Sequence, residues 1–158
     1  MKNTFKRSGA ALISLVLLLV LAVSAGAASS QNVGVKFWKE RSDKESMANS
    51  GIDSNRTATL TRQANGTYTL TLPVMQVSKL GVTGYLSGLT IGDVTYDGTL
   101  TGDFNKATAV LTIKNLPASV LTGSDSNQAL AVTCSIKMDT VLLGDITTSA
   151  RMSVWVER

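Results

Sequence analysis

Histidine is absent from this 158-residue chain, and cysteine occurs once. The first absence removes imidazole as a metal ligand and as the base of a Ser-His or Cys-His nucleophile. The second removes an intrachain disulfide and any cysteine-built zinc cluster. Cys134 stands between Val132 and Ile136 on one strand face, the setting of a buried thiol. Excess charge is lacking too. Of fifteen Lys and Arg, three (Lys2, Lys6 and Arg7) belong to the amino-terminal segment, so twelve remain against eleven acids. With signs interspersed, the chain has no basic footprint for nucleic acid or for an anionic membrane. Asp93, Asp97, Asp103, Asp125, Asp139 and Asp145 each stand beside Gly, Ser or Thr at strand ends, where Asx side chains close turns. With no base, nucleophile pair or cofactor motif in view, the chain is not read as an enzyme.

Long apolar runs are confined to one place. Ala10 to Val23 follows the three early basic residues and precedes Ser24-Ala25-Gly26-Ala27-Ala28. Charged start, short apolar middle and small residues on an A-x-A pattern read as a secretory signal peptide. Residues 1–27 are assigned to it, and 28–158 to one domain. About 130 residues suffice to bury roughly two thirds of the unfolded surface. The mature chain is expected to be secreted or associated with the cell surface, with no membrane span once the leader is cleaved.

What remains is a succession of Thr- and Val-rich runs broken by Gly, Asn and Asp. Strands are expected at Val33 to Phe37, Arg56 to Gln63, Thr67 to Leu72, Val74 to Val77, Tyr85 to Asp93, Thr95 to Leu100, Ala107 to Lys114, Gln128 to Met138 and Ile146 to Glu157. Asp97-Gly98 is read as one of the separating turns. The hairpin around Asn65-Gly66 tests its own register. A two-residue loop mixes apolar and polar on each face, whereas a three-residue loop, Ala64-Asn65-Gly66, sets Leu60 against Leu70. The pattern predicts an all-β chain, a two-sheet antiparallel sandwich with one short helical turn after the first strand.

That turn is the most informative segment. Val33, Val35 and Phe37 share a strand face, Ser42 to Glu45 has capping-box spacing, and Gly51 supplies a stop. The string VKFWKERSDKESMANSGI, residues 35–52, resembles the opening of a NEAT (near-iron transporter) domain, a haem-binding module of Gram-positive bacteria. The resemblance implies an immunoglobulin-like sandwich whose haem lies between this turn and the last hairpin. It also implies a Y-x-x-x-Y motif on the final strand, whose first tyrosine ligates iron. Here Thr148 and Met152 hold those two places, and the tyrosines Tyr68, Tyr85 and Tyr96 lie elsewhere. Thr does not replace a phenolate toward ferric iron, while a Met thioether ligates haem more comfortably in the ferrous state.

The leading expectation is a secreted haem- or porphyrin-binding module for iron acquisition or haem transfer. Ser46 and nearby backbone N–H groups hold a propionate, and Met47 with Val141, Leu142 and Leu143 covers the macrocycle. The axial metal ligand is Met152, or Met47, or absent. Each has a structural reading beside it: Met152 as core filler, Met47 as packing, and the hairpin residues as the end of a buried face. Another cell-surface haem-transfer protein is the expected partner. The alternative is a NEAT-derived protein-interaction module at the cell surface that binds no haem.

Overall fold

The computed structural model describes residues 28–79, 81–140 and 142–158; the leader assigned to 1–27 lies outside them. Among the described residues nine strands follow one another: β1 (Ser29–Lys39), β2 (Ala58–Arg62), β3 (Tyr68–Pro73), β4 (Val77–Lys79), β5 (Val82–Ile91), β6 (Val94–Thr101), β7 (Val110–Leu116), β8 (Leu130–Met138) and β9 (Ile146–Val156). The one helical segment expected from sequence is a 3-10 turn, Met47–Gly51. Three shorter 3-10 turns sit in later connections.

Every pairing is antiparallel, and all nine strands belong to one sheet in the order β4-β5-β6-β7-β3-β2-β1-β9-β8. β5 also pairs with β8 along Gly84 to Thr90, so the hydrogen bonding closes on itself. Gly84 pairs with both Val77 and Met138, and Gly88 with both Asp97 and Ser135. A strand has two edges, so β4 and β6 share one edge of β5 and β8 takes the other. The result is a closed ring of eight strands with β4 as a short flap. The division into two separate sheets expected from sequence is not what the hydrogen bonds draw.

Side-chain alternation explains why the ring closes. In β6, Tyr96, Gly98 and Leu100 are partly covered while Thr95, Asp97, Thr99 and Thr101 are exposed, the period of two that gives a strand one wet face. Phe37, Leu70, Leu89, Ile113, Met152 and Val154 fill the interior and are fully buried. Cys134 joins them, and burial pushes its thiol up from 9.0 to about 12.

The β2–β3 hairpin has the register its faces demand. Leu60 opposes Leu70, Gln63 N–H donates to the Thr67 carbonyl at 2.8 Å, and Gly66 takes φ 83° in a three-residue loop. Asp97-Gly98 is not a turn. Both residues lie inside β6, Asp97 opposite Gly88 and Gly98 opposite Ile113, and the chain reverses earlier, at Gly92-Asp93. A Cβ on Gly98 overlaps the Leu111 side chain, so this glycine is there for close packing.

Candidate functional site

The Met47–Gly51 turn is built on β1 by one side chain. Asn49 Oδ1 accepts the Phe37 N–H at 2.7 Å, and Asn49 Nδ2 donates to the Phe37 carbonyl at 2.7 Å. Asn49 thus satisfies Phe37 on the edge that β2 has already left, its last β1 partner being Val33. Ser46 is the N-cap, its Oγ accepting the Ala48 N–H at 3.3 Å. The capping box expected at Ser42 to Glu45 is not used. Glu45 bridges back to Trp38 in the backbone and pairs with Lys36 at 2.6 Å, so the helical turn starts four residues after the expected cap.

Arg151 on β9 pins the loop leading into that turn. Its guanidinium donates to the carbonyls of Lys39, Ser42 and Ser126 at 3.2, 2.9 and 2.8 Å and reaches Asp43 Oδ1 at 3.2 Å. Ser126 Oγ donates to the same Asp43 oxygen at 2.7 Å. The Ser126 hydroxyl and then Arg151 hold the Asp43 carboxyl below the usual carboxylate value.

Opposite this lip, the inner face of the ring runs out into solvent. On β9, Val154, Met152 and Ala150 are buried, Thr148 is half-buried and Ile146 is exposed. On β8, Val132 and Cys134 are buried, and Ile136 and Met138 are only partly so. Where the two strands leave the core they form one wall of a cleft of about 410 Å³. Val82, Gly84, Tyr85 and Leu86 of β5 continue that wall, and Val77 and Lys79 of β4 with Ser46, Met47, Ala48 and Gly51 close the other side. The volume falls within the range of about 300 to 1,000 Å³ usual for small-molecule sites.

The lining is mostly apolar and carries one charge. Among its described lining residues Lys79 and Tyr85 are the ionisable ones, and the Lys79 ammonium lies 3.5 Å from the Met47 sulfur, joining the lip and the flap. The Tyr85 ring packs on Phe104 with centroids 5.2 Å apart. Ser46 Oγ uses an acceptor position for the cap and keeps its O–H to donate.

Of the residues singled out from sequence, Ser46 and Met47 line the cleft. Met152 does not. It is fully buried opposite Phe37 and Leu130, about 13 Å along β9 from Thr148 at strand spacing, so the axial ligand expected there becomes a core side chain. Thr148, the other position of the missing motif, is in the cleft wall. Leu142 is 97% exposed and Leu143 56%, both outside the lining; Val141 lies outside the described residues. The apolar cover expected from the tip comes instead from Ile146, Ile136 and Met138. Tyr85, set apart from the site by sequence reasoning, belongs to its wall. The alternation of β8 and β9 points to Ile136, Met138 and Ile146; nothing local points to Lys79, because β4 was expected three residues earlier.

A second depression, of about 450 Å³, surrounds Asp53, Arg56 and Phe104. Arg56 donates there to the carbonyls of Ala109 and Thr108 at 2.9 and 3.5 Å and faces Asp53 at 3.9 Å. Its donors are thus engaged in fastening one loop to another. Among the described residues no group of three or more His, Cys, Asp or Glu could hold a metal ion, and no helix is long and apolar enough to cross a membrane.

No protein-family model and no curated protein matches the sequence. Solved structures do match in shape. The NEAT5 domain of IsdX2, a B. anthracis hemophore, in complex with heme superposes with a TM-score of 0.53 at 12% identity, over 84% of this chain and 99% of that one. A mutant of the same IsdX2 domain, also in complex with heme, gives a TM-score of 0.53 at 11% identity, over 84% and 98%. The chain has a NEAT-like fold.

Proposed function

We propose that this chain is a secreted or surface-associated module that binds haem or a related porphyrin and passes it on unchanged, in the service of iron acquisition. The observation that carries this is the cleft between the Met47–Gly51 turn and the β8–β9 hairpin: apolar walls with a single cation, Lys79, at the rim. A porphyrin such as haem is a flat apolar ring with carboxylates at one edge, and such a slot suits it, burying the ring while the acids stay at the charged margin. The two solved neighbours of the same fold both hold heme, which supports the reading from another side.

Ser46 and Lys79 bind the acidic edge, Ser46 through its free O–H. Ile136, Met138, Ile146 and Met47 exclude water from the ring. A second reading, a protein-interaction module without haem, rests on Leu142 and Leu143, whose apolar side chains stand in solvent at the hairpin tip beside the cleft.

A haemin titration separates the two readings. The expected result is a saturable Soret band at one haem per chain, lost in an Ile136→Glu variant that places a charge in the apolar wall. No spectral change in either the ferric or the dithionite-reduced state overturns the porphyrin reading and leaves the interaction module.

A further inference from the structure

Recognition of a metalloporphyrin divides between the ring, its acids and the metal, and the cleft is unevenly supplied for the three. The side-chain donors among its described lining residues are the hydroxyls of Ser46 and Thr148, the thioethers of Met47 and Met138 and the ammonium of Lys79, with Tyr85 also in the wall. Neutral Ser and Thr hydroxyls are poor ligands for ferric iron, and an ammonium has no lone pair to give. Tyr85 alternates with the buried Gly84 and Leu86 on β5, which places its side chain on the opposite strand face, and its ring packs on Phe104. Thioethers are soft ligands that suit the ferrous state, and the Met47 sulfur already faces an ammonium. Imidazole is missing from the whole chain, and Cys134 is enclosed beneath Ile136.

The acids are better served. None of the ion pairs among the described residues uses Lys79, and its contact to a thioether sulfur is weak beside the charge-assisted bond a carboxylate would give. Lys79 also sits on the three-residue β4 flap, exposed and on the same side of the slot as Met47, where an arriving carboxylate meets it at the rim.

Resting on the porphyrin reading above, we propose that the cleft holds its ligand by burying the macrocycle and pairing a carboxylate with Lys79, with no bond from the protein to a central metal. Metal-free and iron-loaded rings therefore bind alike. The ligand class is the free-acid porphyrin, whatever its metal, and the specificity-determining residue is Lys79.

The test titrates the purified protein with three probes: metal-free protoporphyrin IX, ferric haemin and the neutral dimethyl ester of protoporphyrin. Binding is read by porphyrin fluorescence, tryptophan quenching and the Soret band. Dissociation constants for protoporphyrin and haemin are expected to agree within about threefold. Lys79→Gln should weaken both acids by about fivefold, the size of a partly exposed ion pair, and leave the ester unchanged. Met47→Leu and Met138→Leu should leave the ferric Soret maximum where it is. Haemin binding more than tenfold tighter than the metal-free ring, or a Soret shift in either Met variant, shows a bond to iron and overturns the proposal while the porphyrin reading stands. An unchanged affinity in Lys79→Gln overturns the acid anchor. Failure of all three probes to bind sinks the proposal and the porphyrin reading together.

Discussion

Asn49 replaces a missing strand. Phe37 loses β2 as a neighbour, and a side-chain amide restores both of its backbone hydrogen bonds on that edge, fixing the Met47–Gly51 turn over the cleft. An Asn49→Ala variant leaves the Phe37 N–H without this acceptor and should lose about 1–3 kcal/mol of stability in urea unfolding. Cys134 makes a different prediction. Its thiol is raised from 9.0 to about 12 because the folded state favours the neutral form. Its contribution is fully present below pH 9, where both states are protonated, and is lost as the unfolded thiol ionises between pH 9 and about 12. Urea midpoints from pH 8 to 10 should therefore fall more steeply in this chain than in a Cys134→Ala variant. These two residues differ in legibility. Flanking Val132 and Ile136 announced the buried thiol, whereas Asn49 shows its purpose only once the fold brings Phe37 to it.

The β2–β3 hairpin was readable because only one loop length puts Leu60 against Leu70. The β5–β6 hairpin misled because Asp-Gly is a strong turn signal, yet Gly98 is required by the Leu111 side chain crossing beneath it. Gly98→Val should be severely destabilising, with a melting temperature well below that of Gly92→Ala, whose Cβ has open space and whose cost is only the positive φ of 59°. The same limit hid part of the candidate site. Alternation along β8 and β9 tells which residues share a face, so Ile136, Met138 and Ile146 were within reach. It does not tell how deep along the face the core ends, and Met152, an expected ligand, lies two inner-face positions below Thr148. Lys79 depends on a flap whose partner is β5 and whose contact is Met47, 32 residues away.

At the level of the molecule, the composition gave the all-β class and the order of elements, and the closure escaped it. Alternation predicts faces and not which edges meet, so an open pair of sheets and a closed ring look alike in one dimension. The β5–β8 pairing decides between them, and it has a practical effect on the cleft: Gly84, Ile136 and Thr148 are held in one continuous ladder, a rigid wall. On the porphyrin reading proposed above, ligand entry asks for movement on the side of the turn and the β4 flap. Amide hydrogen exchange should be slow through β5, β8 and β9 and fast in Val77–Lys79, with added ligand slowing the flap and the Met47–Gly51 turn while leaving the wall unchanged.

β1 finds its neighbours in β2 and in β9, so the earliest strand described is zipped to the latest, Val33 against Val156. Such a hoop has no half-finished version. Until the last segment arrives the apolar lining has nowhere to hide, and long-range pairings of this kind assemble slowly. Cutting either seam of β1 should therefore unfold the ring as one unit and not loosen a single edge.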